Sequence, residues 1–143
     1  MLWVTREHIR VNRTATAWLV RRFVDPEAEF VFVAPADVAR VQRERSAIGF
    51  DAPGARYSNE QGVTSFEQLA NERVPADAAL RELGRIVHGA DVAGQEAFTP
   101  ESAGLKLLSR GFPLVARDDH ETVERALFLY DALYAALRER ISR

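Results

Sequence analysis

The sequence predicts one α+β domain that is predominantly helical, with a small β-sheet covered by about six helices. Short, β-prone apolar runs occur only in the first third of the 143 residues, and apolar residues at helical spacing fill the rest. Two capping-box patterns and several Asn, Thr or Pro signals mark helix starts. A chain of this length is expected to form a single domain, residues 1–143.

The first third of the chain alternates predicted strands and helices. Residues 2–5 are short, apolar and β-prone, and predict the first strand. Asn12 is the predicted N-cap of a helix over residues 13–24, which ends because the residue before Pro26 avoids the α region. The run EFVFVA, residues 29–34, predicts a buried second strand.

Helices dominate the remainder of the chain. Pro35 opens a polar helix to about residue 45, and residues 48–51 predict a short strand before a Pro-Gly turn. The capping box TSFE predicts a helix over residues 64–73, and further helices are expected over 75–90 and 99–111.

The last helix is predicted to follow a second capping box, DDHE, at residues 118–121. It carries one stripe of apolar residues at a spacing of three to four: Val123, Leu127, Tyr130, Leu133, Tyr134, Leu137 and Ile141. This stripe is expected to face the core, and Phe128, with Tyr130 and Tyr134, offers further apolar surface on which a homodimer could form.

The composition excludes several classes of chemistry. The chain has no cysteine, so disulfides, thiolate catalysis, iron–sulfur clusters and cysteine-based zinc sites are ruled out. A cytoplasmic location is expected, because the N-terminus lacks a signal-peptide layout and no apolar run is long enough to span a membrane. The sequence also lacks a Walker A loop, a dinucleotide fingerprint, an HExxH motif and a GxSxG elbow.

The charge balance argues against direct binding of nucleic acid. The net charge is −2, and the short basic run at residues 40–45 is interrupted by an acidic residue and predicts a solvated helix face. Of the 19 basic residues only Lys106 is a lysine, a bias that fits either a GC-rich genome or the use of guanidinium groups for planar anion contacts. Only individual arginines at positions where an apolar residue is expected can distinguish these two interpretations.

Three arginines of the first predicted helix are candidate anion ligands. On a helical wheel Arg22 falls in the middle of the apolar face that contains Trp18, whereas Arg21 lies on the narrow polar edge. A buried guanidinium needs an anionic or multiple hydrogen-bond partner. Arg22 is therefore expected to form an internal salt bridge, to line an anion-binding pocket with Arg13 and Arg21, or to extend outward to solvent.

A histidine and two carboxylates are the candidate metal ligands. His88 and Asp91 are three residues apart near the end of a predicted helix, so both side chains can face one point. With Glu67 they could hold a divalent metal ion. The alternatives are that His88 stabilises a helix C-terminus, that Asp91 pairs with Arg22, and that Glu67 serves only the capping box.

Four blocks of sequence together resemble a known family. The longest is NRTATAWLVRRFVDPEAEF, residues 12–30, and it is followed in order by IGFD at 48–51, IVHGAD at 86–91 and LYDALY at 129–134. The family that these blocks resemble is the C-terminal domain of the ChrB chromate-resistance proteins. The resemblance implies a role in chromate resistance, as an accessory or sensing domain for a small anion such as chromate. It does not transfer the DNA binding of a different part of those proteins.

The chain departs from the family pattern at three polar positions. The pattern has Ser-His near Ser58-Asn59, Cys-Thr-Phe-Glu near residues 64–67, and often Asp in the place of Asn12. A metal or redox site that depends on those side chains is expected to be altered or lost here. Three hypotheses remain: oxyanion binding through Arg13, Arg21 and Arg22, a metal-dependent enzyme, and a structural or dimerising module.

Overall fold

The computed structural model describes residues 1–58 and 62–143, which form three strands and six α-helices. The elements are β1 (Leu2–Arg6), α1 (Val11–Leu19), β2 (Glu29–Val33), α2 (Val38–Arg45), β3 (Ile48–Gly49), α3 (Ser65–Arg73), α4 (Ala78–Asp91), α5 (Ser102–Val115) and α6 (Asp119–Ile141). The predicted α+β fold, predominantly helical with a small sheet, is confirmed.

The sheet is parallel and has the strand order β2-β1-β3. One face of the sheet contributes to the main hydrophobic core, together with α1, α3, α4 and α6. On the opposite face, α2 covers a smaller core around Val4, Val38 and Val41. Because β2 and β3 flank β1 on opposite sides, the chain reverses its direction of winding at the carboxyl ends of β1 and β3. Such a reversal opens a crevice in which parallel α/β sheets bind ligands.

Helix α1 begins two residues earlier than predicted, and the predicted N-cap is wrong. The helix starts at Val11 without a side-chain cap bond from Arg10. Asn12 is buried inside it, where its amide donates to Ser65 Oγ at 2.9 Å and its Oδ1 accepts from Phe66 N at 3.3 Å. A buried amide satisfies its hydrogen bonds wherever partners lie, and here most of them belong to α3, with one longer bond from Thr16 Oγ1 of its own helix at 3.4 Å.

A π-helical turn continues α1 over Val20–Val24 and overturns the predicted burial of Arg22. Its i to i+5 bonding is seen in Asp25 N, which donates to Val20 O at 2.7 Å. Each π turn holds more residues than an α turn, so positions after it are rotated from their places on an α-helical wheel. Phe23 still reaches the core ring of Trp18, at 5.6 Å between centroids, but the Arg22 side chain is 41% exposed.

The two predicted capping boxes differ in the structure. Thr64 and Glu67 form the full reciprocal pair, with Thr64 Oγ1 accepting from Glu67 N at 3.1 Å and Glu67 Oε1 accepting from Thr64 N at 3.0 Å. Asp118 caps α6 by accepting from Glu121 N at 2.9 Å. The Glu121 carboxylate, however, accepts from Arg117 N instead of from the capping residue, so only half of the second box forms.

Three predicted boundaries are displaced. Helix α4 begins after Asp77, which accepts from Leu80 N at 2.9 Å, and not at residue 75. Helix α5 does not end at Gly111 but extends to Val115. Gly111 has no positive φ and so does not terminate the helix, and Pro113, which lacks an N–H, is tolerated in the last turn. Strand β3 ends at Gly49, two residues earlier than predicted.

The apolar stripe of α6 is confirmed along most of its length. Val123, Leu127, Tyr130 and Leu137 are buried, whereas Ile141 is 48% exposed because the last turn extends beyond the core. Tyr130 does not offer surface for a dimer as predicted, since its hydroxyl is buried against Thr14 Oγ1 and Val11 O. Across residues 1–58 and 62–143, no helix is both long and apolar enough to cross a membrane.

Candidate functional site

A cluster of charged side chains lies at the carboxyl ends of β1 and β3. Arg6 is the last residue of β1, and its Nε donates to Asp51 O at 2.7 Å while its Nη2 lies 3.4 Å from Asp51 Oδ2. Asp51 follows β3, is 5% exposed, and has a left-handed φ of 48°, a conformation that Asp tolerates better than most residues. The polar groups therefore converge at the point where the strand order reverses, the position at which parallel sheets commonly bind ligands.

Arg13 is the buried cation of this cluster. Its side chain is 10% exposed, and its Nη2 donates to His8 O at 2.9 Å. The carboxylate oxygen Asp51 Oδ2 lies 3.7 Å from its Nη1, which is too long for a hydrogen bond. The Nε atom is buried without any hydrogen-bond partner among the described residues. The guanidinium is thus only partly neutralised.

The electrostatics of Arg13 agree with this geometry. Burial, and after it the nearby Arg6 cation, lower the pKa of the Arg13 guanidinium, against the opposing effect of Asp51, Asp91 and Asp119. Asp119 is already engaged, because its carboxylate accepts from His8 N at 2.9 Å and from Ile9 N. The carboxylates around Arg13 are therefore shared with other donors, and Arg13 stays charged because guanidinium does not deprotonate in proteins.

Asp91, at the end of α4, belongs to the same cluster. Burial, and then the Asp51 charge, raise the pKa of Asp91 to about 6, while Arg13, Arg6 and His88 act in the opposite direction. A carboxyl group with such a pKa is partly protonated near neutral pH, so it can donate as well as accept a hydrogen bond. Raised carboxyl pKa values of this kind are common at functional sites.

His88 and Glu67 are in direct contact beside this cluster. His88 Nδ1 lies 2.9 Å from Glu67 Oε1, which also accepts from the N–H and the hydroxyl of Thr64, each at 3.0 Å. A carboxylate at Nδ1 favours the tautomer with its proton there, which leaves Nε2 as the acceptor or ligand. The structure thus joins two of the three predicted metal ligands, yet residues 1–58 and 62–143 contain no group of three His, Asp or Glu arranged to hold a metal ion.

The predicted anion ligands are not brought together. Arg21 Nη1 pairs with Glu124 at 3.1 Å, and its guanidinium lies 5.3 Å from the ring centroid of Phe30. Arg22 makes a bidentate contact with Asp131, with distances of 3.0 Å from Nε and 2.8 Å from Nη2. The salt bridge expected for Arg22 is confirmed, but it forms with Asp131 and is half-exposed instead of internal.

Comparison with known proteins identifies the family. The family model described as "ChrB, C-terminal domain" matches residues 3–137. The chain belongs to the ChrB C-terminal domain family. Protein ChrB of Cupriavidus metallidurans (strain CH34) is 35% identical over 135 residues, which are 92% of this chain but 39% of the relative. The chain therefore spans about two fifths of that ChrB protein, and no solved structure matches it.

Within the ChrB family pattern, two of the three departures have structural roles. Asn12 links α1 to α3, and Thr64 is the capping residue that also donates to Glu67. The third departure, at Ser58-Asn59, falls partly outside the described residues, because Asn59 is not among them.

Sequence reasoning missed Arg6 and Asp119 and treated Asp51 as a turn residue. A usable signal was present, because a strand–helix–strand order is typical of parallel pairing. Parallel pairing places the residues that follow β1 and β3 at one edge of the sheet, and hence brings Arg6 close to Asp51. Asp119 gave no such signal, since its contact with His8 spans 111 positions of sequence.

Proposed function

We propose that the chain is a chromate-resistance-associated sensing domain that binds a small oxyanion through Arg13 and Arg6 at the carboxyl edge of the sheet. Membership of the ChrB C-terminal domain family supports the association with chromate resistance. The observation that carries the proposal is the Arg13 guanidinium, which is nine-tenths buried, has an Nε without a hydrogen-bond partner among the described residues, and lies 3.7 Å from Asp51 Oδ2 through its Nη1.

A tetrahedral oxyanion suits this incomplete pairing. Guanidinium groups bind such anions through several short, charge-assisted hydrogen bonds at once. Arg13 also lies in the first turn of α1, where backbone N–H groups have no intrahelical acceptor and the helix dipole favours negative charge. An anion here would compete with Asp51 for both arginines. Because Asp51 follows β3 and Arg6 ends β1, binding would alter the connection between these two strands.

Calorimetry with chromate, sulfate and phosphate tests the proposal. We expect the wild-type chain to bind at least one of these dianions, and Arg13→Gln to lose that binding. Arg22→Gln is the matched control, because it removes the same charge from a half-exposed pair elsewhere. Absence of binding by the wild type, or equal weakening by both substitutions, would disprove an oxyanion site at Arg13. If Arg13→Gln does not fold, Arg6→Gln serves in its place, since Arg6 is 40% exposed.

A second candidate function, metal binding, is favoured by the contact between His88 and Glu67. A carboxylate that fixes the histidine tautomer is typical of metal-ligating histidines, with Nε2 left to coordinate. Asp91 and His88 would then be ligands, and Glu67 would orient His88. Elemental analysis after purification without chelators and thermal unfolding with added Zn²⁺ or Mn²⁺ test this, because a ligand of the native state raises the unfolding temperature. A metal-free protein whose unfolding ignores both ions would rule it out.

The domain is proposed to act in the cytoplasm without direct contact to DNA. Its net charge of −2 offers no broad cationic surface, and the absence of cysteine is typical of proteins in a reducing compartment. The lack of cysteine also argues for sensing instead of thiol-dependent reduction of chromate.

A further inference from the structure

Helix α5 has a second apolar face that is directed to solvent. The outward residues include four large aliphatic side chains with exposed fractions of 54% to 83%: Leu107, Leu108, Leu114 and Val115. The inward face is buried and less apolar, since two of its three fully buried residues are Ser102 and Ser109. A contiguous apolar helix face is normally covered, and the fold of one chain covers the less apolar side of α5 and leaves its more apolar side exposed.

Two glycines lie in open space on the same helix. Gly104 and Gly111 have no positive φ, and a Cβ added to either would meet no atom within 4 Å. Neither conformation nor internal packing requires glycine there, although glycine inside an exposed helix is unfavourable relative to alanine. Small residues on a helix surface permit close approach of another backbone, which agrees with a covered face.

A groove runs between this face of α5 and the first half of α6. Its volume is about 340 Å³, and its lining is mainly apolar: Leu108, Gly111, Phe112, Val115, Ala116, Ala126 and Leu129, with Thr122 and Arg125. Phe128 of α6 is 80% exposed, but neighbouring residues of a helix point about 100° apart, so its ring is directed away from the side of α6 that lines the groove through Leu129. The groove and the outward side chains of α5 therefore define the apolar face.

We infer that this α5–α6 face binds the same face of a second copy of the chain. The four aliphatic side chains of α5 expose on the order of 500 Å² of apolar surface, which lies within the range of the largest patch on a typical monomer, and the groove lining adds to it. A standard interface buries about 800 Å² on each partner, so this apolar area is close to what a symmetric dimer needs. A two-fold axis places the groove of each copy opposite the exposed side chains of the other.

The rim of the face favours a protein partner over a lipid surface. Glu121 contacts both Arg117 at 3.4 Å and Arg125 at 3.4 Å, so both signs of charge border the groove. Lys106, on the flank of α5, is paired with Glu96. Arg110 is an exposed cation of α5 without an ion pair among the described residues, but a helix that binds anionic lipid carries several such cations beside its apolar face and does not need a concave groove.

Analytical ultracentrifugation of the wild type and two variants tests the inference. We expect a concentration-dependent monomer–dimer equilibrium for the wild type. Leu114→Gln and Gly111→Lys should weaken dimerisation about tenfold or more, as expected at the centre of an interface. Gly111→Lys is informative because the position is open and lysine is the better helix former, so the thermal unfolding midpoint of the monomer should stay the same or rise.

Ile141→Gln is the matched control, since Ile141 is a 48% exposed aliphatic residue of α6 that does not line the groove. It should leave the dimerisation constant unchanged. A wild type that stays monomeric at the highest soluble concentration would overturn the inference, as would a dimer that Gly111→Lys and Leu114→Gln leave intact. Co-sedimentation of a monomeric wild type with phosphatidylserine vesicles, abolished by Leu114→Gln, would assign the face to lipid instead.

Discussion

The raised pKa of Asp91 predicts an unusual dependence of stability on pH. In the native state burial and Asp51 favour the protonated carboxyl, despite the opposing charges of Arg13, Arg6 and His88. The folded pKa of about 6 lies above the ordinary value of 3.8, so the native state holds this proton more tightly than the unfolded state. The contribution of Asp91 to stability is therefore fully present below pH 3.8 and is lost as the pH rises to about 6.

The size of this effect follows from the displacement of the pKa. A displacement of about two pKa units corresponds to about 3 kcal/mol at most, at about 1.4 kcal/mol per unit. Asp91→Asn keeps the side chain neutral at every pH. Relative to wild type, we expect the Asp91→Asn variant to have similar stability near the acid end of this window, at about pH 4, and greater stability at about pH 7, by about 1 to 3 kcal/mol. Urea denaturation of both proteins across this pH range measures the difference directly.

Asp131→Asn is the control with the opposite sign. Hydrogen bonds from Arg22 and Trp18 lower the pKa of Asp131, so its contribution is present at neutral pH and is lost on acidification. The wild type should therefore exceed the Asp131→Asn variant in stability at neutral pH, and the difference should shrink as the pH falls. If the difference between wild type and Asp91→Asn is the same at both ends of the pH range, Asp91 does not carry the raised pKa, and the electrostatic description of the cluster is wrong.

Two further predictions concern local packing and capping. Gly89→Ala should destabilise the fold by about 1 to 3 kcal/mol, because the added Cβ would overlap the Ser102 side chain where α4 meets α5. Gly104→Ala, in open space on α5, should instead stabilise the monomer by about 0.5 to 1 kcal/mol in the same thermal unfolding assay, and equal effects would contradict this packing. Thr64→Val should cost about 1 to 2 kcal/mol through loss of the cap bond to Glu67. An unchanged urea midpoint for Thr64→Val would show that the cap contributes nothing.

The features that could be predicted from the sequence are those determined by neighbouring residues. The capping box of Thr64 and Glu67 and the apolar stripe of α6 depend on contacts within a few turns, and both are present. The direction of Arg22 could not be predicted, because Arg22 lies within the π turn, where the rotation per residue differs from that of an α-helical wheel. The alternation of strands and helices indicates parallel pairing, but the contact of Arg6 with Asp51 also requires β1 to lie beside β3, an adjacency across 45 positions that local pattern does not determine.

Position 64 connects the family departure to the chemistry of the site. Where the family pattern has cysteine, the Thr64 hydroxyl accepts from Glu67 N at 3.1 Å and donates to Glu67 Oε1 at 3.0 Å, the same oxygen that contacts His88. A thiol is a weaker donor and acceptor, so threonine fixes the Glu67 carboxylate more firmly than cysteine would. Threonine has no thiol that could take part in redox chemistry, and its two hydrogen bonds with Glu67 restrain the carboxylate that contacts His88.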